Sequence, residues 1–205
     1  MIYLKIKRIM DIILSVIGLI ILSPVFLILI IAIKLDSKGP VLFKQKRVGI
    51  HKSHFNILKF RTMRIDTPRD TPTHLLENPE KWITKVGKFL RKTSLDELPQ
   101  IFNIIKGDMS IIGPRPALWN QYDLIEERDK YSANDVPVGL TGWAQINGRD
   151  ELDIEVKAKL DGEYANNIGF LMDLRCFFGT LFSVLRSDGV IEGGASNRKF
   201  DNEDK

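Results

Sequence analysis

The sequence predicts an α+β protein that is mostly helical, with an apolar N-terminal segment ahead of a globular domain that contains a small β element. Three observations support this fold class. The 22 residues from Ile12 to Ile33 carry no charge, apolar residues recur at helical spacing through much of the later chain, and residues 41–63 contain short extended runs around a glycine turn. The domain boundaries that follow are 1–36 for the membrane element, 37–192 for the globular domain and 193–205 for a polar tail.

Composition limits the partners and the redox chemistry. The 205 residues carry 30 Lys and Arg against 26 Asp and Glu, a net charge of +4. This charge suits an anionic partner, which can be a lipid surface, a phosphorylated substrate or a nucleic acid. Cys176 is the single cysteine, so the chain forms no internal disulfide. Its neighbours Phe177 and Phe178 predict a buried and inert thiol.

The apolar segment from Ile12 to Ile33 is long enough to span a bilayer. Near its midpoint, Ser23-Pro24 predicts a kink or a break, because Pro24 has no N–H for the carbonyl of Ile20. A serine hydroxyl can bind such a freed carbonyl. Basic residues flank the segment on both sides: Lys5, Lys7, Arg8, then Lys34, Lys38, Lys44, Lys46 and Arg47. Two basic flanks favour a segment that enters and leaves one face, and the residues alone leave a kinked spanning helix equally open.

Turn signals and apolar spacing give the remaining elements. In chain order they are a hairpin at 41–63 with its turn at 49–52, a surface loop at 67–79, helices that start after Trp82 and after Ser94, a helix at 119–131, a turn and strand at 138–147, and helices at 151–164 and 170–186. The helix after Ser94 is expected to close at Lys106-Gly107.

The last predicted helix carries a wide apolar stripe. Its members are Leu171, Leu174, Phe178, Leu181, Phe182 and Leu185. Asp173 and Arg175 interrupt the stripe, so this helix is not expected to span a membrane. We expect it to pack in the core of the domain, and the membrane interface is the alternative.

An acidic pair marks the start of the helix after Ser94. Ser94-Leu95-Asp96-Glu97 fits a capping box, in which Ser94 caps the helix and Glu97 reciprocates. Pro99 strains that interpretation, because it removes a hydrogen bond in the first turn. A helix N-terminus would keep Asp96 ionised, and an ionised aspartate can attack phosphorus covalently. Two adjacent carboxylates could then supply the nucleophile and a ligand for Mg²⁺.

Cationic residues cluster around this pair in the sequence. Arg91 and Lys92 precede it, and Arg115 follows it within Gly113-Pro114-Arg115-Pro116, where two prolines fix the backbone around one guanidinium. The alternatives for Arg115 are a solvated surface turn and bidentate phosphate binding. Lys59 and Arg61 alternate on one side of a predicted strand, where they would face lipid headgroups or the substrate.

Taken together, these segments resemble the bacterial sugar transferase family, the monotopic phosphoglycosyl transferases. The resemblance covers nearly the whole chain and rests on KRIMDIILSVIG, SPVFLI, FKQKRVG, KFRTM, SLDELPQIFNIIKGDMSIIGPRP, GLTGWAQINGRDEL and FLMDLRCFF. It implies that residues 1–36 form a re-entrant helix-break-helix in the inner leaflet, broken at Ser23-Pro24, and that the catalytic domain lies at the cytoplasmic face of the bacterial inner membrane.

The resemblance also implies the chemistry. Asp96 would take a phosphosugar from a UDP-sugar and release UMP, and polyprenol phosphate would then take it from Asp96. Glu97 would assist in binding Mg²⁺ or in positioning. Arg91 and Arg115 match the basic positions expected around the phosphates, and Gln145 and Arg149 would contact the nucleotide-sugar. The implied partners are a UDP-sugar, polyprenol phosphate and the bilayer, with a homodimer left open and nucleic acid not expected.

Two departures from the family pattern concern the donor more than the reaction. Pro137-Val138-Gly139 stands where relatives often carry Arg-Pro-Gly, and His51-Lys52 replaces a glycine in the hairpin turn. The NGRDEL variant favours an N-acetylated amino sugar. Two other classes stay open: a membrane-anchored phosphohydrolase that hands the phosphosugar to water, and a non-enzymatic scaffold.

Overall fold

A computed structural model of the chain describes residues 2–67, 78–148 and 152–186. In chain order these residues form α1 (Ile2–Asp36), β1 (Leu42–Val48), β2 (His54–Phe60), α2 (Lys85–Lys92), α3 (Gln100–Lys106), β3 (Ser110–Ile112), α4 (Tyr122–Asp129), β4 (Gly139–Thr141), α5 (Trp143–Ile146), α6 (Ile154–Asn166) and α7 (Phe170–Arg186). The prediction of a mostly helical protein with a small β element is confirmed. Arg149 and the predicted tail at 193–205 lie outside the described residues.

α1 is a 35-residue helix, about 52 Å long at the usual rise per residue. It is long and apolar enough to cross a membrane. The helix runs through Ser23-Pro24 without interruption, so the predicted helix-break-helix is not seen at this point. The predicted role of the serine is confirmed, because Ser23 Oγ donates to the Ile20 carbonyl at 2.8 Å and replaces the donor that Pro24 lacks.

One face of α1 packs against the globular domain along its length, and the opposite face is exposed and apolar. Near its start, Asp11 accepts hydrogen bonds from Ser110 Oγ at 2.7 Å and from the Ile111 N–H at 3.1 Å. At its end, Asp36 accepts a hydrogen bond from the Val86 N–H, in the first turn of α2, at 3.0 Å. Polar side chains therefore tie both ends of α1 to the same domain.

The predicted hairpin is confirmed. β1 and β2 pair antiparallel from Leu42 opposite Phe60 to Val48 opposite His54. His51 and Lys52 form the turn with φ of 51° and 56°, the left-handed region in which glycine is favoured. Phe60, at the end of β2, joins the core with Phe26 of α1, at 5.4 Å between ring centroids.

A second sheet holds the middle of the chain. β3 and β4 pair in parallel, with Ser110 opposite Gly139 and Ile112 opposite Thr141. Gly113 follows β3 and donates its N–H to the Thr141 carbonyl at 2.8 Å. The backbones approach so closely that a Cβ on Gly139 would lie 2.6 Å from the Gly113 carbonyl oxygen. Only glycine fits this crossing.

The expectation that the α7 stripe packs in the core is wrong. The five stripe residues whose side chains the structure describes are exposed: Leu171 69%, Leu174 38%, Phe178 47%, Leu181 49% and Phe182 61%. The inward face carries Met172, Cys176 and Asp173, and Asp173 accepts hydrogen bonds from Tyr164 and Lys7. These contacts place the Asp173 side of α7 inward, and the apolar stripe faces outward. Cys176 is buried, which confirms the predicted burial, and this burial raises the pKa of its thiol to about 12.

Candidate active site

The segment between α2 and α3 has a different conformation from the predicted capping box. Ser94 lies in the left-handed region at φ 56° and its side chain caps nothing. The chain then makes a 3₁₀ turn over Leu95–Glu97, and Pro99 occupies the N-cap position of α3. The capping interpretation is therefore wrong, because the left-handed Ser94 redirects the chain and sends Glu97 to other partners. The helix closes as predicted, with Gly107 at φ 104°.

Glu97 is held by two cations from distant parts of the chain. Lys59 Nζ on β2 donates to Oε1 at 2.8 Å, and Arg115 donates through Nη2 to Oε1 at 2.7 Å and through Nη1 to Oε2 at 3.3 Å. The fork of Arg115 thus spans both carboxylate oxygens. Burial acts to raise the pKa of Glu97, but Arg115 and Lys59 outweigh it and hold this pKa well below its usual range.

Asp96 lies beside the same cations without the same degree of pairing. Lys59 Nζ is 4.0 Å from Asp96 Oδ2, and the Asp96 side chain is 13% exposed. Burial raises the pKa of Asp96 above its ordinary value, with the charge of Glu97 adding to the effect, while Lys59, Arg91 and Arg115 oppose it. Desolvation is the largest of these effects on the pKa of Asp96. Asp96 is a partly buried carboxylate whose ionised form gains from any further cation at the site.

The Pro114-Arg115-Pro116 segment is fixed by its carbonyl groups. The Pro114 carbonyl accepts from the Gly139 N–H at 2.9 Å, that of Arg115 from Arg128 Nη2 at 2.9 Å, and that of Pro116 from Arg47 Nη1 at 3.0 Å. Three separate elements thus hold three successive peptide units. The predicted rigidity comes from these donors as well as from the prolines.

The structure brings together four of the predicted site residues, and Arg91 acts electrostatically on Asp96. The four in contact are Lys59, Asp96, Glu97 and Arg115. Arg61 lies apart: it is buried and donates to the carbonyls of Pro40 at 2.6 Å and Ser37 at 2.9 Å, so it secures the turn between α1 and β1.

Gln145 is also buried, and it donates to the Leu140 carbonyl at 3.0 Å. Arg149 is outside the described residues.

Sequence reasoning missed the glycines and the buried Arg128 that shape this site. Gly113, Gly139 and Gly142 meet at the end of the second sheet, where an added Cβ would clash with neighbouring backbone. The presence of several glycines within a short stretch of sequence was the signal that could have indicated this close packing. No spacing pattern links Arg128 to Asp161, which lie 33 residues apart on different helices.

The carboxylates offer few ligands for a metal. Among the described residues, no group of three or more His, Cys, Asp and Glu side chains is placed to hold an ion. Both oxygens of Glu97 already accept from cations, which leaves Asp96 as the better donor. One carboxylate, with the rest of the shell from phosphates and water, fits the usual habit of Mg²⁺.

The described residues thus combine a helix that is long and apolar enough to cross a membrane with a partly buried acidic pair surrounded by Lys59, Arg91 and Arg115. The chain belongs to the bacterial sugar transferase family, whose model matches residues 2–187. This confirms the family that the sequence motifs indicate.

Known relatives are similar over most of the chain. This chain is 41% identical to the uncharacterized sugar transferase EpsL of Bacillus subtilis (strain 168), with 90% of this chain and 89% of EpsL covered. It is 41% identical to the UDP-glucose:undecaprenyl-phosphate glucose-1-phosphate transferase of Escherichia coli (strain K12), with 86% and 39% covered. It is 37% identical to the UDP-N-acetylgalactosamine-undecaprenyl-phosphate N-acetylgalactosaminephosphotransferase of Aeromonas hydrophila, with 92% and 46% covered. The chain therefore spans less than half the length of these last two relatives.

Proposed function

We propose that the protein transfers a sugar-1-phosphate from a UDP-sugar to undecaprenyl phosphate, with Asp96 as the nucleophile. The observation that carries this proposal is that the two carboxylates of the acidic pair differ in how they pair with the neighbouring cations. Glu97 is neutralised by Lys59 and Arg115, whereas Asp96 lies near the same cations and has no bidentate partner among the described residues. Relatives that share most of this chain carry that reaction in their names. The product would begin the assembly of a capsule, an O-antigen or a glycoprotein glycan.

The reaction proceeds in two displacements at one phosphorus atom. An Asp96 carboxylate oxygen attacks the phosphorus that bears the sugar, the bond from that phosphorus to the bridging oxygen breaks, and UMP leaves with the electron pair. An oxygen of undecaprenyl phosphate then attacks the same phosphorus and releases Asp96. The product is a sugar linked to the lipid through a diphosphate. Arg115 and Arg91 stabilise the phosphate charge in both steps.

Mg²⁺ fits this site as a cofactor. Asp96 would hold it, with Glu97 adjacent, and the ion would offset the negative charge of the diphosphate. The raised pKa of Asp96 supports this assignment, because the carboxylate is desolvated beyond what its protein cations compensate.

We further propose that α1 enters and leaves the membrane on the cytoplasmic face of the inner membrane, bending at Ser23-Pro24. The support is that Asp11 near its start and Asp36 at its end bind the same globular domain, which a helix crossing the bilayer would place on opposite sides. The outward-facing apolar stripe of α7 suits contact with the same membrane face.

The reaction is tested by UMP release from the full-length protein in nanodiscs, with Mg²⁺, undecaprenyl phosphate and a panel of UDP-sugars that includes UDP-glucose and UDP-N-acetylgalactosamine. Asp96→Asn is expected to abolish release, whereas Asp135→Asn, at an exposed carboxylate that pairs with His51, is the matched control and keeps it. Without lipid, wild type should release at most one UMP per protein. Continuous release of free sugar phosphate without lipid would instead identify a phosphohydrolase, and turnover by Asp96→Asn would refute the covalent mechanism.

Topology is tested by labelling single cysteines in a Cys176→Ala background. Lys5→Cys and Lys38→Cys, both at exposed positions on either side of the apolar segment, are expected to react with an impermeant maleimide only from the cytoplasmic side. Labelling of the two positions from opposite sides would show a spanning helix.

A further inference from the structure

We propose that the buried Arg128–Asp161 pair positions the active site by holding the main chain of Arg115, so that the Arg115 guanidinium meets Glu97. The proposed function supplies the purpose of this positioning, but the contacts stand without it. Among the described residues, the side chain of Arg128 hydrogen-bonds Asp161 and the Arg115 carbonyl and neither Asp96 nor Glu97, so its effect passes through Arg115.

The contacts form a short chain. Arg128 donates through Nε to Asp161 Oδ2 at 2.9 Å, and its Nη2 donates both to that oxygen and to the Arg115 carbonyl at 2.9 Å. The side chains of Arg128 and Asp161 are 3% and 1% exposed. The Arg115 side chain then extends to Glu97 at 2.7 Å. Three hydrogen-bonded links, through Arg128 and Arg115, thus join a buried carboxylate on α6 to the acidic pair.

α6 is placed tightly enough to fix Asp161. Gly162, the next residue, lies so close to the turn after α4 that a Cβ there would be 3.0 Å from Tyr131 Cγ and closer still to Tyr131 Cβ. The side chain of Asp161 is therefore held against Arg128 by the packing of two helices. The pair does not depend on a flexible surface loop.

The energetics of buried ion pairs indicate that this pair has a role other than stability. Such a pair commonly adds no more stability than well-packed apolar residues of similar size, because desolvation offsets the attraction. Stability alone therefore gives no reason for a charged pair at this place. The bond that an apolar pair could not make is the one from Arg128 Nη2 to the Arg115 carbonyl.

Arg115 needs such a donor because its neighbours limit the backbone. Pro114 and Pro116 have no N–H groups, and pairing between β3 and β4 ends at Ile112 and Thr141. The Arg115 carbonyl sits between these prolines, and Arg128 is its donor. Without Arg128, the Arg115 carbonyl loses this hydrogen bond, while the flanking Pro114 and Pro116 carbonyls keep theirs.

The test replaces both charges at once, in Arg128→Met/Asp161→Leu, so that no unpaired charge is left buried. The reactivity of Arg115 towards phenylglyoxal is measured by peptide mass spectrometry on the full-length protein in nanodiscs. Loss of a charge-assisted bidentate pair should make Arg115 react about tenfold faster. Glu97→Gln is the positive control. Arg128→Lys, which keeps a cation beside Asp161, covers failure of the double variant to fold and should give an intermediate rate.

The matched control is the buried Lys7–Asp173 pair, which does not contact Arg115. Lys7→Met/Asp173→Asn removes that pair and keeps an acceptor oxygen for Tyr164, so Arg115 should react at the wild-type rate. Wild-type reactivity in both Arg128 variants would overturn the proposal, as would an equal increase in the control.

Activity gives an independent measurement. In wild-type background, Arg128→Met/Asp161→Leu should lower kcat for UMP release by roughly 10- to 100-fold, and in an Arg115→Lys background by much less. If the double variant lowers kcat by the same factor in both backgrounds, action through Arg115 is refuted. If wild type releases no UMP from any donor, the proposed function fails, while the reactivity of Arg115 still decides the positioning role.

Discussion

Replacing Gly142 with alanine is expected to disable the active site through the backbone of Gly113. Gly142 has φ −173°, an extended conformation that alanine adopts freely, so the effect is purely steric. A Cβ there would lie 2.8 Å from the Gly113 carbonyl carbon and closer still to its oxygen. Gly113 is two residues from Arg115, whose guanidinium holds Glu97.

The size of the effect follows from the distances. Ordinary contact begins near 3.4 Å, so relief at the carbonyl carbon alone requires a shift of about 0.6 Å. Overpacking of this kind costs about 1–3 kcal/mol of unfolding free energy. Since a misplacement of about 1 Å can cost 100-fold in rate, we expect kcat/KM for UMP release to fall by roughly 10- to 100-fold.

The assay compares Gly142→Ala with Gly169→Ala, because a Cβ at Gly169 meets nothing closer than the Asn167 carbonyl oxygen at 3.7 Å. Thermal unfolding and UMP release are measured on both variants in nanodiscs. Gly169→Ala should match wild type within about twofold. Equal Tm and activity in the two variants would refute the close approach at Gly113 and its link to Arg115.

Three further outcomes follow from single side chains. Lys59→Met removes the strongest attraction that opposes desolvation at Asp96, so the pKa of Asp96 rises and the acidic limb of the kcat/KM profile moves to higher pH; an unmoved limb would contradict this. Ser94→Gly should stabilise the protein by up to about 1 kcal/mol in thermal unfolding, because Ser94 is left-handed at φ 56° and caps nothing, and destabilisation would restore the capping interpretation. Cys176 should resist a thiol reagent such as dithionitrobenzoate until the protein unfolds, since burial raises its pKa to about 12; rapid labelling of native protein would show an open α7 face.

Local signals in the sequence predicted the elements that depend on local physics. The hairpin around residues 49–52, the closure of α3 at Gly107 and the role of Ser23 beside Pro24 all follow from backbone rules that act within a few residues. The acidic pair and Arg115 were also recognisable, because their residue types and motif context indicate phosphate chemistry. The local rule failed at Ser94, where a tertiary partner took Glu97 from the predicted capping box.

By itself, the sequence determined the fold class, the apolar helix and the family, since composition, periodicity and motif order are properties of the chain alone. Only the tertiary structure decided which residues meet. Lys59 reaches Glu97 across 38 residues, and Arg128 reaches Asp161 across 33, whereas Arg61 turns away to the α1–β1 turn. The outward-facing stripe of α7 is also decided by tertiary contacts, because Asp173 on the inward side of the helix hydrogen-bonds residues of α1 and α6. Such pairings are settled by desolvation and packing between distant segments, which no local pattern encodes.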